Sequence, residues 1–398
     1  MNIFSPIRIF NLSSILLLLT FYSVLVTKEI SQRAIYFTKI DAIPLICGIV
    51  AFNIGFYFSA KVLNLKPKSY SNLKPSVNLI EGVRKIGIRF VQISIFGYIV
   101  WVVIDTESWF NYSSSGHLRT IPGITTFTQF LPVGVACLFY VQKMYQTRIY
   151  YKTILFCVLL VTYRTFINNE RLALLEVLIP LGVIYLYFYS KQIRTPWWVV
   201  YSLALFAVFS LFALTEYFRS WQYYQLQYGL TFMNFITDRF ISYYGTALNN
   251  GVIYQQIFPQ ITNLPIGILD WLWQFPVLGS LLTNSLTNQD LVVNWSQALK
   301  SYAGTDEYTN INSYFMILSE ANLYILAAMF LILGGFFQIM YSKLHNPKSP
   351  YVIVLGSLLI GILELPRLFW FGLGRAFPIV ISSLLIYLYI KKIERIAG

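Results

Sequence analysis

Arginines and carboxylates stand together where an apolar stretch gives way to the longest polar part of the chain, residues 216–312. Glu216 opens that part, Arg219 follows three residues later, and Asp238 and Arg239 are neighbours further on. Arginine carries a planar guanidinium that binds phosphate through two parallel hydrogen bonds, and a carboxylate can take a proton from an attacking hydroxyl. These residue types predict a site that binds a phosphorylated substrate and activates a hydroxyl group.

A second grouping of the same residue types lies near the C-terminal end of the sequence. Glu364 and Arg367 are three residues apart, so they share one face if a helix continues through Pro366. Two glycines follow, and they permit a tight turn that returns Arg375 toward the pair. We expect a compact charge cluster at this turn.

Further titratable side chains lie at the edges of apolar stretches. Arg171 begins one such stretch, and Glu176 lies more than one helical turn inside it. A carboxylate at the centre of a bilayer costs about 2.5–3.5 kcal/mol, so Glu176 should face a partner or a wet cavity. Structural pairing with an arginine is the alternative to a functional role. Glu320 is a second carboxylate of this kind, and His117, in a polar turn, is a further candidate base.

The composition identifies the elements that must position these residues. Of the 398 residues, 57% are hydrophobic and 11% are charged, and the mean hydropathy is +0.61. One soluble core cannot bury apolar segments in this proportion, so the chain belongs in a membrane. The apolar runs are long and lack strict alternation, which argues against a barrel and predicts an all-α polytopic membrane protein.

The apolar runs predict about ten transmembrane helices with one large outward loop between the seventh and the eighth. The parts are residues 1–215 with seven helices, the loop 216–312, and residues 313–398 with three helices. The predicted spans are residues 7–27, 40–60, 90–104, 121–141, 150–165, 172–190, 197–215, 313–341, 351–368 and 376–390. The large loop therefore begins with the first arginine grouping.

The distribution of charge predicts which side of the membrane each loop faces. With a cytoplasmic N-terminus, most of the 29 lysines and arginines fall on the inner side, and the loop 28–39 is the exception. Of the 16 carboxylates only Glu81 and Glu394 fall there, so carboxylate chemistry would face outward. Both termini are then cytoplasmic. Topology accounts for most of the net charge of +13, and no nucleic acid partner is expected.

Two apolar patterns lie inside the large loop. Residues 264–282 form an apolar piece that is either re-entrant or surface-lying. Asp238 and Arg239 lie off a separate apolar stripe, which predicts an amphipathic helix on the outer surface. That stripe consists of Leu230, Met233, Ile236, Phe240, Tyr244 and Leu248.

Cysteine and histidine are scarce in the sequence. Cys47, Cys137 and Cys157 all lie in apolar runs, and His345 is the one histidine besides His117. Buried cysteines far apart behave as small core residues, and two separated histidines do not make a metal cluster. No disulfide, metal or cofactor is expected.

With these features the chain resembles the O-antigen or oligosaccharide repeat-unit polymerases of the Wzy type. The similarity lies in the many spans, in the large outward loop of the second half, and in three short motifs. Those motifs are Arg171-Leu172-Ala173-Leu174-Leu175, Phe218-Arg219, and the hairpin from Glu364-Leu365-Pro366-Arg367 to Arg375. The resemblance implies a glycosyltransferase of the bacterial cytoplasmic (inner) membrane. Such an enzyme moves a growing glycan from undecaprenyl pyrophosphate to the terminal sugar of a new lipid-linked repeat unit.

The resemblance also implies partners and residue roles. The partners would be an undecaprenyl-pyrophosphate-linked oligosaccharide, the lipid bilayer and a chain-length regulator protein, with no metal and no cofactor. Contact with the pyrophosphate is assigned to Arg171, Arg219, Arg239, Arg367 and Arg375. The candidates for the catalytic base are Glu364, Glu320, Glu216, Asp238 and His117.

Two other functions fit part of the same pattern. A lipid-linked oligosaccharide flippase or other transporter would place charges near the midplane and often contains inverted repeats, whereas these charges gather at the predicted outer mouth. An O-antigen ligase-type glycosyltransferase would share the arginine-rich outward loop and transfer the glycan to lipid A-core. The sugars joined, the anomeric outcome and the identity of the base stay open.

Overall fold

Helices account for every element of secondary structure that the structure describes. The computed structural model describes residues 5–28, 35–62, 75–110, 121, 123–168, 170–189, 195–257, 268, 271, 297, 299–301, 310–345 and 348–397. Eight of its helices are long and apolar enough to cross a membrane. The protein is therefore an all-α polytopic membrane protein, as the composition predicts.

Eight α-helices lie in the described part of the first half of the chain. They are α1 (Pro6–Thr27), α2 (Ala42–Val62), α3 (Val77–Ile104), α4 (Thr106–Phe110), α5 (Ile124–Thr128), α6 (Leu131–Tyr145), α7 (Tyr151–Asn168) and α8 (Arg171–Tyr189). In the second half, α9 (Trp197–Glu216) continues directly into a π-helical turn (Tyr217–Trp221) and α10 (Gln222–Tyr228). The described helices that follow are α11 (Phe232–Ile257), α12 (Ser313–Glu320), α13 (Leu323–Ser342), α14 (Tyr351–Glu364) and α15 (Ala376–Ala397).

Eight of the ten predicted spans correspond to the long apolar stretches of helix, in which α5 and α6 count as one, and the other two correspond to α7 and α14. α7 occupies the place of the fifth predicted span with 18 residues, and it carries Lys152 and Arg164. α14 occupies the place of the ninth with only 14 residues. Length and composition thus support eight spans, and the number ten stays a prediction.

Two predicted spans are interrupted in the structure. The span 121–141 divides into α5 and α6, with Pro132 in the first turn of α6. The span 313–341 divides at Ala321, whose φ of −137° and ψ of −104° are not helical. The Asn322 side chain then accepts a hydrogen bond of 2.9 Å from a backbone N–H in the first turn of α13. Proline and asparagine both favour a helix start, so each break coincides with the beginning of a new helix.

Glycines allow α2 and α13 to pack closely. A methyl group at Gly55 would lie under 3.0 Å from the carbonyl oxygen of Leu331, and one at Gly334 equally close to that of Phe52. In lipid, where apolar surface gains little by leaving the solvent, small residues at such contacts allow the van der Waals packing that holds helices together. These two glycines therefore fasten α2 to α13.

The helix ends that carry the predicted site residues meet on one side of the bundle. Arg375, immediately before α15, hydrogen-bonds Glu176 in the second turn of α8. Arg171 at the start of α8 pairs with Glu216 at the end of α9. The ends of several helices thus form one charged region.

The opposite ends of the helices carry lysines, arginines and tyrosines. Lys143 Nζ lies 3.4 Å from the Tyr189 hydroxyl, and the Tyr351 hydroxyl donates to Glu394 at 2.8 Å. Basic residues collect at this end, while the buried arginine–carboxylate pairs occupy the other. Such a separation of charge follows the pattern that the positive-inside rule describes.

Helix α11 forms where the apolar stripe predicts a helix, but it does not lie on the surface. Met233, on the stripe, is 63% exposed, whereas Arg239, off the stripe, is 9% exposed. Residues 245–253 are all buried. The prediction of a surface-lying helix is therefore wrong for this half of α11. The physical reason is that Leu248 and Val252 of this half belong to the main hydrophobic core. Nearer the start of α11, Arg239 also turns inward toward Glu216, with 3.8 Å between Nε and Oε2.

Candidate functional site

Four charged side chains, which we call the Glu170 network, join α7, α8 and the turn before α15. The Arg164 Nη2 lies 2.6 Å from Glu170 Oε2, and Arg375 Nη1 donates to Glu170 Oε1. Arg375 also donates to Glu176, from Nε to Oε1 at 3.1 Å and from Nη2 to Oε2 at 2.8 Å. Two arginines thus balance two glutamates.

Further hydrogen bonds reach the Glu170 network from its surroundings. The Trp370 indole donates to Glu176 Oε1 at 3.0 Å, and Arg164 Nη1 donates to the Tyr98 hydroxyl at 3.2 Å. Glu176 is 1% exposed. A buried charge is tolerated when it is paired and hydrogen-bonded. The network therefore ties the last hairpin to α8.

The electrostatics of Glu170 argue against proton transfer by this residue. Burial alone would raise the pKa of Glu170, but the charges of Arg375 and Arg164 outweigh burial and lower the pKa to about 2. A general base works best when its pKa lies near the working pH. We conclude that Glu170 is a fixed anion that orients the two arginines.

Three arginines and two glutamates form a second assembly, the Tyr243 group, around the ring of Tyr243. Its charged members are Arg171, Glu216, Arg239, Glu364 and Arg367. They come from the start of α8, the end of α9, α11 and the turn after α14. The group therefore unites two parts of the chain that sequence analysis treats as separate groupings.

Glu216 is the shared anion of one half of the Tyr243 group. Its Oε1 accepts a hydrogen bond from Arg171 Nη2, and its Oε2 lies 3.8 Å from Arg239 Nε. The Ser220 hydroxyl donates to the same Oε2 at 2.6 Å. One turn separates Ser220 from Glu216 along the continuous helix, so the helical path from α9 through the π turn sets this contact.

Tyr243 connects the two halves of the group. Arg367 Nε donates to Glu364 Oε2 at 2.7 Å, and both side chains are less than a tenth exposed. The Tyr243 ring centroid lies 4.5 Å from the Arg367 guanidinium carbon and 5.8 Å from that of Arg171. A cation is attracted to the face of an aromatic ring, so one phenol ring stabilises two arginines.

The Tyr243 group has the composition of an anion site. Its three arginines and two glutamates leave a formal charge of +1 within the group. Phe212 lies 4.2 Å from Arg171 and Tyr224 lies 4.3 Å from Arg239, measured from ring centroid to guanidinium carbon. Rings of this kind exclude water and strengthen electrostatic attraction, and their faces also suit contact with sugars.

Asn312 and Ser313 hold the hairpin that carries Glu364 and Arg367. The Asn312 amide donates to the carbonyl of Pro366, and the Ser313 hydroxyl donates to the carbonyl of Leu365. Asn312 Oδ1 also accepts from the Tyr314 backbone N–H at 3.0 Å, which caps α12. Sequence analysis overlooked these residues, although a polar pair before an apolar run is the usual signal of a helix cap.

Two other candidate bases have different surroundings. Glu320 accepts hydrogen bonds from the Tyr254 hydroxyl at 3.1 Å and from the Ile268 backbone N–H at 3.2 Å. Asp238 is exposed, whereas the adjacent Arg239 is buried. Of the predicted carboxylates, Glu216 and Glu364 are the two in the Tyr243 group.

Some predicted residues lie outside the described part of the chain. These are His117, the side chain of Arg219 and, apart from positions 268 and 271, the apolar piece 264–282. Among the residues that the structure describes, no three His, Cys, Asp or Glu side chains lie close enough to hold a metal ion.

Comparison with known proteins supplies no relative for this chain. No protein-family model matches it, and neither a curated protein nor a solved structure does. The function must therefore be argued from the residues themselves.

Proposed function

We propose that the protein polymerises lipid-linked glycan repeat units at the outer face of the bacterial cytoplasmic membrane. A growing glycan leaves undecaprenyl pyrophosphate and is transferred to the terminal sugar of a new lipid-linked repeat unit. The Tyr243 group carries the proposal, because three arginines and two carboxylates share one largely buried site there.

The arginines of the Tyr243 group suit the leaving group. When the bond from the anomeric carbon to the pyrophosphate oxygen breaks, negative charge develops on that oxygen. Arg171, Arg239 and Arg367 would stabilise this charge as fixed cations in a site of low dielectric. Arg219 is a fourth candidate. Arg375 belongs to the Glu170 network, where it hydrogen-bonds both Glu170 and Glu176, so its part is to hold the hairpin in place.

The carboxylates of the group suit the other half of the reaction. The acceptor hydroxyl oxygen forms the new bond to the anomeric carbon, and its proton passes to a carboxylate, Glu364 or Glu216. General base catalysis requires a carboxylate close to the bound pyrophosphate, and both side chains belong to the same group as the arginines. The energy comes from the lipid-pyrophosphate linkage itself.

The distribution of charge supports an outward position for this site. Basic residues at the opposite helix ends favour the cytoplasmic side, so the Tyr243 group faces outward, where lipid-linked repeat units would arrive. The lipid bilayer surrounds the apolar helices, and a chain-length regulator protein is a candidate partner at the outer surface.

The test is the length of the surface glycan in a strain that lacks this protein. A single capped repeat in the deletion strain, restored to a ladder by the intact chain, supports polymerisation. Complete loss of surface glycan with lipid-linked repeats trapped inside would identify a flippase instead. Accumulation of long lipid-linked polymer that never reaches lipid A-core would identify a ligase.

A further inference from the structure

Helix α9 stands apart from the rest of the bundle. Only 11% of its most apolar stretch of residues is buried, whereas the corresponding stretches of the other seven candidate spans are 33% to 67% buried. Its buried residues are Phe212, Thr215 and Glu216, all within the last two turns. The rest of α9 therefore makes little contact with the protein.

The middle of α9 is exposed on every side. Residues 202–208 are all exposed. Seven consecutive helical residues make about two turns, so their side chains point in all directions around the helix axis, including toward the bundle. A space consequently separates the middle of α9 from its neighbours.

Both ends of α9 are attached to the protein. At the first turn, the Arg8 guanidinium lies 5.1 Å from the Trp197 ring, and Tyr201 packs against the main hydrophobic core. At the last turns, Phe212 contacts the ring of Phe240 with 5.6 Å between centroids. The space beside α9 is therefore a window, closed at both ends and open in the middle.

The chemistry of the window changes along its length. Apart from Ser202, residues 202–208 are Leu, Ala, Phe and Val. An apolar chain fits this lining, because a polar occupant would lose its hydrogen-bond partners there. At its outer end α9 finishes at Glu216, which pairs with Arg171 and lies beside Arg239. An apolar passage thus ends at a cationic site.

We infer that this window binds the isoprenoid chain of the lipid-linked substrate, with its pyrophosphate at Arg171 and Arg239. The inference rests on the proposed function, which supplies the lipid-linked substrate. It adds the place of the chain, which passes between α9 and the bundle. An apolar chain and an anionic head in one molecule match an apolar window next to two arginines.

The experiment is photo-crosslinking of the full-length protein in membranes with an undecaprenyl pyrophosphate analogue that carries a diazirine on its chain. We expect cross-linked peptides from residues 197–216, and competition by unlabelled undecaprenyl pyrophosphate. Phosphatidylglycerol at the same concentration should not compete. Equal competition by both lipids would mean that ordinary bilayer lipid fills the window, which overturns the inference, and so would labelling confined to other helices.

Substitutions in the window provide a second measurement. Ala204→Trp and Ala207→Trp should each lower labelling of α9 about tenfold by filling the space that the chain needs. Ala328→Trp is the matched control, because Ala328 is also exposed but lies on α13. Unchanged labelling in both α9 variants would overturn the inference. So would a disulfide dimer formed by Ser202→Cys, because it would show that a second copy of the protein covers this face.

Failure of the inference is distinguishable from failure of the proposed function. If the intact chain restores the glycan ladder and the probe labels the protein outside α9, polymerisation stands and the window has another occupant. If the probe labels no part of the protein, and the glycan ladder forms equally well in a strain that lacks the protein, the proposed function itself is wrong.

Discussion

Arg375 and Glu176, 199 positions apart in the chain, form a two-point ion pair with contacts of 3.1 and 2.8 Å. Two parallel contacts need the planar fork of a guanidinium, which an ammonium group lacks. Glu176 is 1% exposed, and a carboxylate so deeply buried needs a paired cation to offset the loss of water. The pair therefore fixes the last hairpin, and with it Arg367, relative to α8.

Removing Arg375 should destabilise the protein strongly. Arg375→Ala leaves Glu176 buried without its main cation, and we expect a loss of about 3–5 kcal/mol in the free energy of unfolding. Denaturant unfolding of the purified protein in detergent measures it. Arg84→Ala is the matched control, since the Arg84–Glu81 pair, 2.7 Å long, is 34% and 37% exposed. Exposed pairs contribute about 0–1 kcal/mol, so equal losses in the two variants would contradict the assigned role of Arg375.

Arg367 should be required for polymer formation and not for insertion into the membrane. Arg367→Ala removes one fixed cation from the Tyr243 group, and loss of one such stabilising group lowers a rate by about 10²–10³. Gel analysis should show single repeats with normal protein in the membrane fraction. Arg148→Ala, at an exposed arginine of the opposite end, should leave the ladder intact. A normal ladder in Arg367→Ala would remove Arg367 from the site.

Asn312 should contribute through the position of the hairpin. Asn312→Ala leaves the Pro366 carbonyl without its donor and removes the cap of α12, at a cost of about 1–3 kcal/mol in unfolding free energy. We also expect shorter glycan chains, because Arg367 follows Pro366 directly. Asn234→Ala, at an exposed position of α11, is the control. Lowered stability with a normal ladder would show that the cap does not position the site.

Acid should weaken the Glu170 network within a defined range of pH. Arg375 and Arg164 lower the pKa of Glu170 from 4.5 to about 2 against the effect of burial. A folded-state pKa below the unfolded value means that the charged form stabilises the fold above pH 4.5, and that this contribution is lost as the pH falls toward 2.

The variant Glu170→Gln tests this pH dependence. It should lower the unfolding free energy at pH 7 and flatten its decline between pH 4.5 and 2, measured by unfolding at several pH values. Glu81→Gln, which removes a carboxylate from the more exposed pair at the opposite end, is the control variant. An unchanged slope in Glu170→Gln would show that other carboxylates control acid unfolding.

Local patterns in the sequence predicted the fold class and one ion pair. Composition and long apolar runs require helices, because hydrocarbon offers no partner for an open backbone. The three-residue spacing of Glu364 and Arg367 predicted their contact, since such spacing puts two side chains on one face.

Such local patterns could not predict the contacts between distant parts of the chain. The apolar stripe of α11 placed Arg239 outside, but Glu216, which follows no periodic relation to it, draws Arg239 inward. Tyr243 likewise touches Arg171 and Arg367 only because α8, α11 and the last hairpin converge. A residue with no charge and no fixed spacing to its partners gives no signal of such a role.

Two glycine-to-alanine substitutions should change stability in opposite directions. A methyl group at Gly334 meets the backbone carbonyl of Phe52 under 3.0 Å away, and backbone cannot move aside as a flexible side chain does. Gly334→Ala should therefore separate α2 from α13 and lower the unfolding free energy by about 1–3 kcal/mol.

At Gly182, inside α8, nothing lies within 4 Å of the added methyl group. There the substitution only restricts the unfolded chain and favours the helix, so Gly182→Ala should raise the unfolding free energy by about 0.4–1 kcal/mol. Thermal unfolding of both variants in one detergent measures the difference, and a loss of similar size at both positions would mean that the α2–α13 contact is looser than this packing requires.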